Sequence, residues 1–291
     1  MDKNLIQRIV SGLIYGLIIF LCTTSYGSTF LYKAFHLVVK QSYLFYGLMT
    51  FFLVVGLYEC IKVMKLKSWL WIFVCLAVVA LIYYRFSYRY FGLYFFSGIQ
   101  ITDVFGWVLF ALAVITLFRF PLELNYDNGK MIFTAIYVAL PFGFALGLPN
   151  YLPMDPFYLG WEVFMMFVLI WSSDTFAYFA GRFWGKHKMA PTISPKKTWE
   201  GFAGGAVCTL IIGGIIEYSL PGLKGNWIVV GLLVAVFAPL GDLMESRLKR
   251  IFHVKDSGNI IPGHGGILDR LDSFMLCVPV IYIYFIITNS I

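Results

Sequence analysis

Long apolar runs joined by short polar segments account for most of the chain. Nine runs stand out, at roughly 5–23, 43–61, 68–84, 103–119, 131–149, 158–181, 198–219, 227–245 and 271–288. Each approaches the ~20 residues that a helix needs to cross a bilayer core. The pattern predicts an all-α, polytopic integral membrane protein with about nine transmembrane helices. Composition agrees: of 291 residues, 60% are hydrophobic and 13% charged, whereas a soluble domain is nearer ~25% charged. A water-soluble globule, a disordered chain and a small disulfide scaffold are thereby excluded. Cys22, Cys60, Cys75, Cys208 and Cys277 lie in or beside apolar runs without C-x-x-C spacing, so they read as packing residues. Met1 to Arg8 followed by Ile9 to Leu21 has the layout of a signal peptide. With so many runs behind it, this segment reads as an uncleaved first helix.

Charge sets the expected orientation. The net charge is +7, from 22 Lys and Arg against 15 Asp and Glu. With nine spans and the N-terminus inside, only Lys33, Lys40, Arg85, Arg89 and Lys224 fall outside. That bias predicts the N-terminus inside and accounts for the basic surplus without a nucleic-acid partner. The aromatic stretch from Tyr83 to Phe96 reads as an interfacial anchor. Glu59, near the end of the second run, reads as a partner of Lys62 or as reaching for the interface. Residues 1–150 are expected to form an N-terminal scaffold of about five spans. Residues 151–291 are expected to form a catalytic region with two polar loops, 182–200 and 242–272, on the same side of the membrane.

Candidate chemistry gathers around those loops. Asp174, Tyr178 and Arg182 fall on one helix face. They make either an Asp–Arg stitch between helices or a polar wall of a cleft. Ser194-Pro195 reads as a helix start with Ser194 as N-cap, which places Lys196, Lys197 and Thr198 in the first turn. Cations are unfavourable there unless an anion is bound. In the second loop Asp242, Glu245, Ser246 and Lys249 share a face, flanked by Arg247 and Arg250. Lys255 follows, and then glycines around His264, of which Gly265 and Gly266 can offer backbone N–H groups to a phosphate. Asp269 and Asp272 share a face of the last helix, so Asp242 and Asp269 are expected at one depth. Carboxylates among basic residues point to Mg²⁺ bound together with a polyphosphate, with Asp242, Asp269 and Asp272 as ligands. His264 alone makes no transition-metal site.

The stretch Ser246-x-Leu248-Lys249-Arg250-x4-Lys255-Asp256-x-Gly258-x2-Ile261-Pro262-x-His264-Gly265-Gly266-Ile267-x-Asp269-Arg270-Leu271-Asp272 resembles the signature of the phosphatidate cytidylyltransferases, the CDP-diacylglycerol synthases. The segment from Asp174 to Lys186 and the run Ser194-Pro195-Lys196-Lys197-Thr198-Trp199-Glu200-Gly201 also look like that family. The likeness covers the C-terminal two-fifths of the chain. It implies a nucleotidyl transfer with Mg²⁺, in which CTP and phosphatidate give CDP-diacylglycerol and pyrophosphate. It further implies a bacterial inner-membrane location, an active site facing the cytoplasm, and compatibility with a homodimer. Asp242, Asp269, Lys249, Arg250, Arg270 and His264 are then the expected catalytic residues. Asp174, Tyr178, Ser194, Lys196, Lys197, Thr198, Ser246, Lys255, Gly265 and Gly266 are the expected substrate contacts. A CTP-dependent polyprenol kinase or an ether-lipid synthase is the nearest alternative, and a transporter the distant one, which inverted repeats would accompany.

Overall fold

A computed structural model describes residues 3–92, 100–150, 155–263 and 265–289. The described chain is all-α apart from one small hairpin. The helices are α1 (Lys3–Thr23), α2 (Tyr26–Phe35), α3 (Gln41–Val63), α4 (Trp69–Gly92), α5 (Ile101–Arg119), α6 (Asp127–Ala145) and α7 (Glu162–Trp184). They are followed by strands β1 (Lys188–Ala190) and β2 (Ser194–Thr198), then α8 (Trp199–Ser219), α9 (Trp227–Ile251) and α10 (Leu268–Asn289). Seven of the described helices are long and apolar enough to cross a membrane, or eight if the bent pair α1–α2 counts as one span.

Two departures from the expected nine have physical causes. The first run ends at Thr23, and α2 leaves at 94° to it. Thr23 and Thr24 turn their hydroxyls back onto the carbonyls of Ile19 and Phe20, competing with helix continuation. Gly27 makes the bend sterically feasible, because a Cβ there would lie 2.1 Å from the Leu21 carbonyl oxygen. The buried Gln41 of α3 closes the break: its Nε2 donates to the carbonyls of Leu21 and Cys22, and its Oε1 accepts from Ser28 N. The expected fifth span, 131–149, is α6. It stops at Ala145, carries Asp127 and Lys130 at its start, and is buried from Phe133 onward except at Ile136. Its apolar surface faces protein rather than lipid.

The aromatic stretch is also a correction in part. α4 runs on to Gly92, with Tyr83, Phe86 and Tyr90 in the core. Arg89 is buried in an ion pair with Asp103 at the start of α5. Only rings such as Tyr84 and Tyr88 face outward, and residues 93–96 lie outside the described ones.

Close helix contacts place the site. α7 and α8 approach through glycine: a Cβ at Gly204 would lie 2.3 Å from that of Ala180, and one at Gly205 would lie 2.8 Å from the Ser173 carbonyl oxygen. α9 and α10 meet at Gly241, whose Cβ would lie 2.6 Å from the Asp272 carbonyl oxygen. Ser11 Oγ donates to the Pro262 carbonyl, and Arg247 Nε to the Leu117 carbonyl. The start of α1, the end of α5, the end of α9 and the loop before α10 therefore share one end of the bundle. Replacing Gln41 by Leu is expected to destabilise the protein by about 1–3 kcal/mol for each stranded backbone group, read as a lowered unfolding midpoint in detergent.

Candidate active site

The 182–200 loop is a short hairpin, and this corrects the expected helix start. β1 and β2 pair antiparallel, with Lys188 opposite Thr198 and Ala190 opposite Ser194. Ser194, Pro195, Lys196 and Lys197 are thus strand residues, and Ser194 is no cap. Thr198 is the N-cap of α8, accepting from Gly201 N at 3.2 Å. Ser194-Pro195 misled because proline suits an extended edge as readily as a first helical turn. Glu200, in the first turn of α8, fixes the hairpin by accepting from the backbone N–H groups of Lys186 and His187 and contacting the His187 ring. The hairpin holds Lys197 against α9, where its ammonium lies 2.7 Å from Asp242 Oδ2 and donates to the Pro239 carbonyl at 3.1 Å.

α9 carries the expected polar face. Ser246 Oγ donates to Asp242 Oδ1 at 3.2 Å, and one turn further on Lys249 is ion-paired with the buried Glu245. The same ammonium reaches Asp269 Oδ1 at 2.7 Å. Asp269 also accepts from Ser257 N at 3.0 Å and Gly266 N at 2.8 Å. One carboxylate at the start of α10 therefore ties α9 to both ends of the glycine loop. The loop closes on itself through Ile261 and Gly265, whose N–H groups and carbonyls exchange hydrogen bonds. The amides of Gly265 and Gly266 are thus directed within the protein, against the expectation that they face a ligand. Gly265 needs to be glycine, with φ +91 and Asp269 Oδ2 2.7 Å from where a Cβ would sit. His264 lies outside the described residues.

These elements enclose a cleft of about 770 Å³, within the range of small-molecule sites. Asp174, Asp242, Asp269 and Asp272 line it, together with Arg182, Lys196, Lys197 and Arg270. Tyr178, Ser194 and Thr198 also face it, and Arg182 donates to the Tyr178 hydroxyl at 3.1 Å, so the expected Asp174–Tyr178–Arg182 face is a cleft wall. Asp174, Asp242 and Asp272 are near enough to interact electrostatically. Other expected residues stand outside the wall. Lys249 lies behind Asp269, and Ser246 behind Asp242. Lys255 is exposed. Arg250, also exposed, donates to the Ile193 carbonyl at 3.4 Å and clasps the hairpin.

The donor set suits a hard cation, since the cleft offers carboxylate oxygens and no described thiolate or imidazole. Among the described residues, no three ligand side chains are drawn to a common point. Asp242 and Asp269 each have a lysine at 2.7 Å, so a divalent ion there competes with an ammonium.

Residues not foreseen as part of the site also appear. Ser11, Gly12, Tyr15 and Gly16 of α1 form one side of the cleft; small and aromatic residues in an apolar run carry no signal of such a role. Glu59 is the second surprise. It is fully buried rather than paired with Lys62, and it accepts from Ser257 Oγ, Ile267 N and Leu268 N at 3.1, 3.0 and 2.9 Å. Its signal was present as a lone carboxylate inside an apolar run.

A model of the cytidylyltransferase family matches residues 6–288. The chain belongs to this family. It is 45% identical over 158 residues to the phosphatidate cytidylyltransferase of Bacillus subtilis (strain 168), covering 54% of this chain and 57% of that one. It is 51% identical over 122 residues to the enzyme of the same name from Staphylococcus aureus (strain COL), covering 41% and 47%. The Staphylococcus haemolyticus (strain JCSC1435) enzyme matches over 122 residues at 49%. The chain thus spans about half the length of the curated relatives it matches.

The site's electrostatics predict unequal costs for its cations. Lys249→Met leaves Glu245 and Asp269 buried without their cation and is expected to cost about 3–5 kcal/mol. Arg250→Ala, at an exposed position, is expected to cost under about 1 kcal/mol. Denaturant or thermal unfolding in one detergent separates the two.

Proposed function

We propose that this chain transfers CMP from CTP to phosphatidate, giving CDP-diacylglycerol and pyrophosphate. The observation that carries the reading is the cleft itself, where four carboxylates and four cationic side chains face one space at one end of an apolar helix bundle. Two anionic substrates need this mixture. Cations neutralise their mutual repulsion, and carboxylates accommodate a divalent ion between phosphates. The lipid phosphate is already anionic at neutral pH, so its attack on the α-phosphorus needs little help from a general base. The cleft accordingly holds no Ser/His/Asp or Cys/His arrangement among its described lining residues.

Mg²⁺ is the proposed cofactor, held by Asp242 and Asp269 with Asp272 or Asp174 beside them; when bound it supplies charge neutralisation and alignment of phosphate oxygens. Lys196 and Lys197, carried by β2 at the mouth of α8, are assigned to the nucleotide's phosphates. Arg270 is assigned to the region where the lipid phosphate meets CTP, since its guanidinium can fix a phosphate through two parallel hydrogen bonds. Lys249 acts behind the wall by fixing the orientation of Asp269.

The proposed topology places the N-terminus and both loops in the cytoplasm, within a bacterial inner membrane. It is supported by the cation bias and by the contact of Ser11 with Pro262, which brings the start of α1 to the same end as the cleft. Impermeant thiol reagents are expected to miss a cysteine placed at Lys188 in sealed cells and to label it after permeabilisation.

Purified protein in detergent, given CTP, phosphatidate and Mg²⁺, is expected to release pyrophosphate, to stop on chelation and to resume when Mg²⁺ is restored. No release under these conditions refutes the proposal. In the active enzyme, Lys197→Ala should raise the KM for CTP more than that for phosphatidate, and Arg270→Ala should chiefly lower kcat.

A further inference from the structure

We infer that Glu59, which lies in α3 and outside both C-terminal loops, is a positioning residue for the site: it sets the backbone that orients Asp269. The inference rests on the reading of Asp269 as a reaction-centre carboxylate. It stands on a chain of contacts running through one shared residue, Ser257, and through three successive amides. Ser257 gives its hydroxyl to Glu59 Oε2 and its backbone N–H to Asp269. Gly266 gives its N–H to Asp269, while the next two amides, Ile267 and Leu268, go to Glu59. Both carboxylates thus hold the two ends of the loop together, Asp269 through Ser257 and Gly266 and Glu59 through Ser257, Ile267 and Leu268.

The fit around Glu59 is specific. It is fully buried, as are Ser257, Ile267 and Leu268 within a few per cent. A Cβ at Gly258 would lie 2.4 Å from Glu59 Oε1, and one at Gly266 would lie 2.6 Å from Oε2 and 2.1 Å from Ser257 Oγ. Glycine at both places lets the backbone close onto this carboxylate. Glu59 also sits at the N-terminal end of α10, where it accepts from two amides that have no partner within the helix. A buried carboxylate that accepts from the Ser257 hydroxyl and from the Ile267 and Leu268 amides ties the loop to α3. Partners of this kind behind a reaction-centre ligand are typically worth about 10- to 100-fold in metal affinity or activity.

The test compares wild type, Glu59→Gln and Ser257→Ala as full-length protein in detergent. Glu59→Gln keeps the shape but replaces one acceptor oxygen with a carboxamide NH2, which donates and cannot accept from the loop amides. It is expected to lower kcat about 10- to 100-fold. The Mg²⁺ concentration for half-maximal rate should rise several-fold, with the KM for CTP changed much less. Ser257→Ala removes one contact and should move the same quantities in the same direction by less. A structural role alone lowers the unfolding midpoint without altering Mg²⁺ dependence. Hydrogen exchange over residues 257–268 adds a readout independent of turnover, and both variants should exchange faster there than wild type. If wild type is inactive, the functional reading fails while exchange still reports on the tie. Unchanged exchange, or a folded Glu59→Gln enzyme with wild-type kcat and Mg²⁺ dependence, overturns the inference. Should Glu59→Gln not fold, Ser257→Ala decides: an unaltered rate, Mg²⁺ dependence and exchange pattern overturns it equally.

Discussion

The carboxylate of Asp269 is where the polar architecture of this bundle converges. It accepts from Lys249 on α9 and from the amides of Ser257 and Gly266 in the connecting loop. Removing Lys249 would leave Asp269 without its cation, and removing either amide would cost it a hydrogen bond. The loop between α9 and α10 is consequently not an independent excursion. It is held shape-first by polar side-chain contacts, with Glu245 behind Lys249 and Glu59 behind Ser257. Glycines appear where that closure leaves no room for a side chain.

The same economy operates at the hairpin. Lys197 satisfies both Asp242 and the Pro239 carbonyl, while Glu200 gathers the amides that open the turn. Asp242, Asp269 and Lys197 in the cleft wall are therefore already oriented by neighbouring groups. For the proposed nucleotidyl transfer, such preorganisation would favour electrostatic stabilisation, because these groups need little reorientation.

Much of this was legible in the sequence, for identifiable reasons. Apolar runs revealed the helices because membrane-length hydrophobicity is a strong one-dimensional signal. Spacing placed Asp242 beside Ser246, and Glu245 beside Lys249, because helical periodicity is local. What was hidden depended on contacts between distant segments. Glu59 looked like a residue near a span end, yet its partners lie about two hundred positions further on, at Ser257, Ile267 and Leu268. The strand at Ser194–Thr198 escaped because its pairing partner, Lys188–Ala190, is only three residues long. The turn between α1 and α2 was invisible because Gln41, which closes it, belongs to another helix.

One consequence concerns how the molecule is assembled. α6 begins with Asp127 and Lys130 and is wrapped over most of its length by neighbouring helices, among them α3, α4 and α10. Hydrophobicity does not by itself commit such a segment to lipid, so its place is secured by its companions. During biosynthesis α6 can settle fully only after α10 emerges, which is also when Asp269 first meets Lys249. The centre of the bundle and the polar cleft are thereby completed by the same late event, and a chain truncated before α10 lacks both.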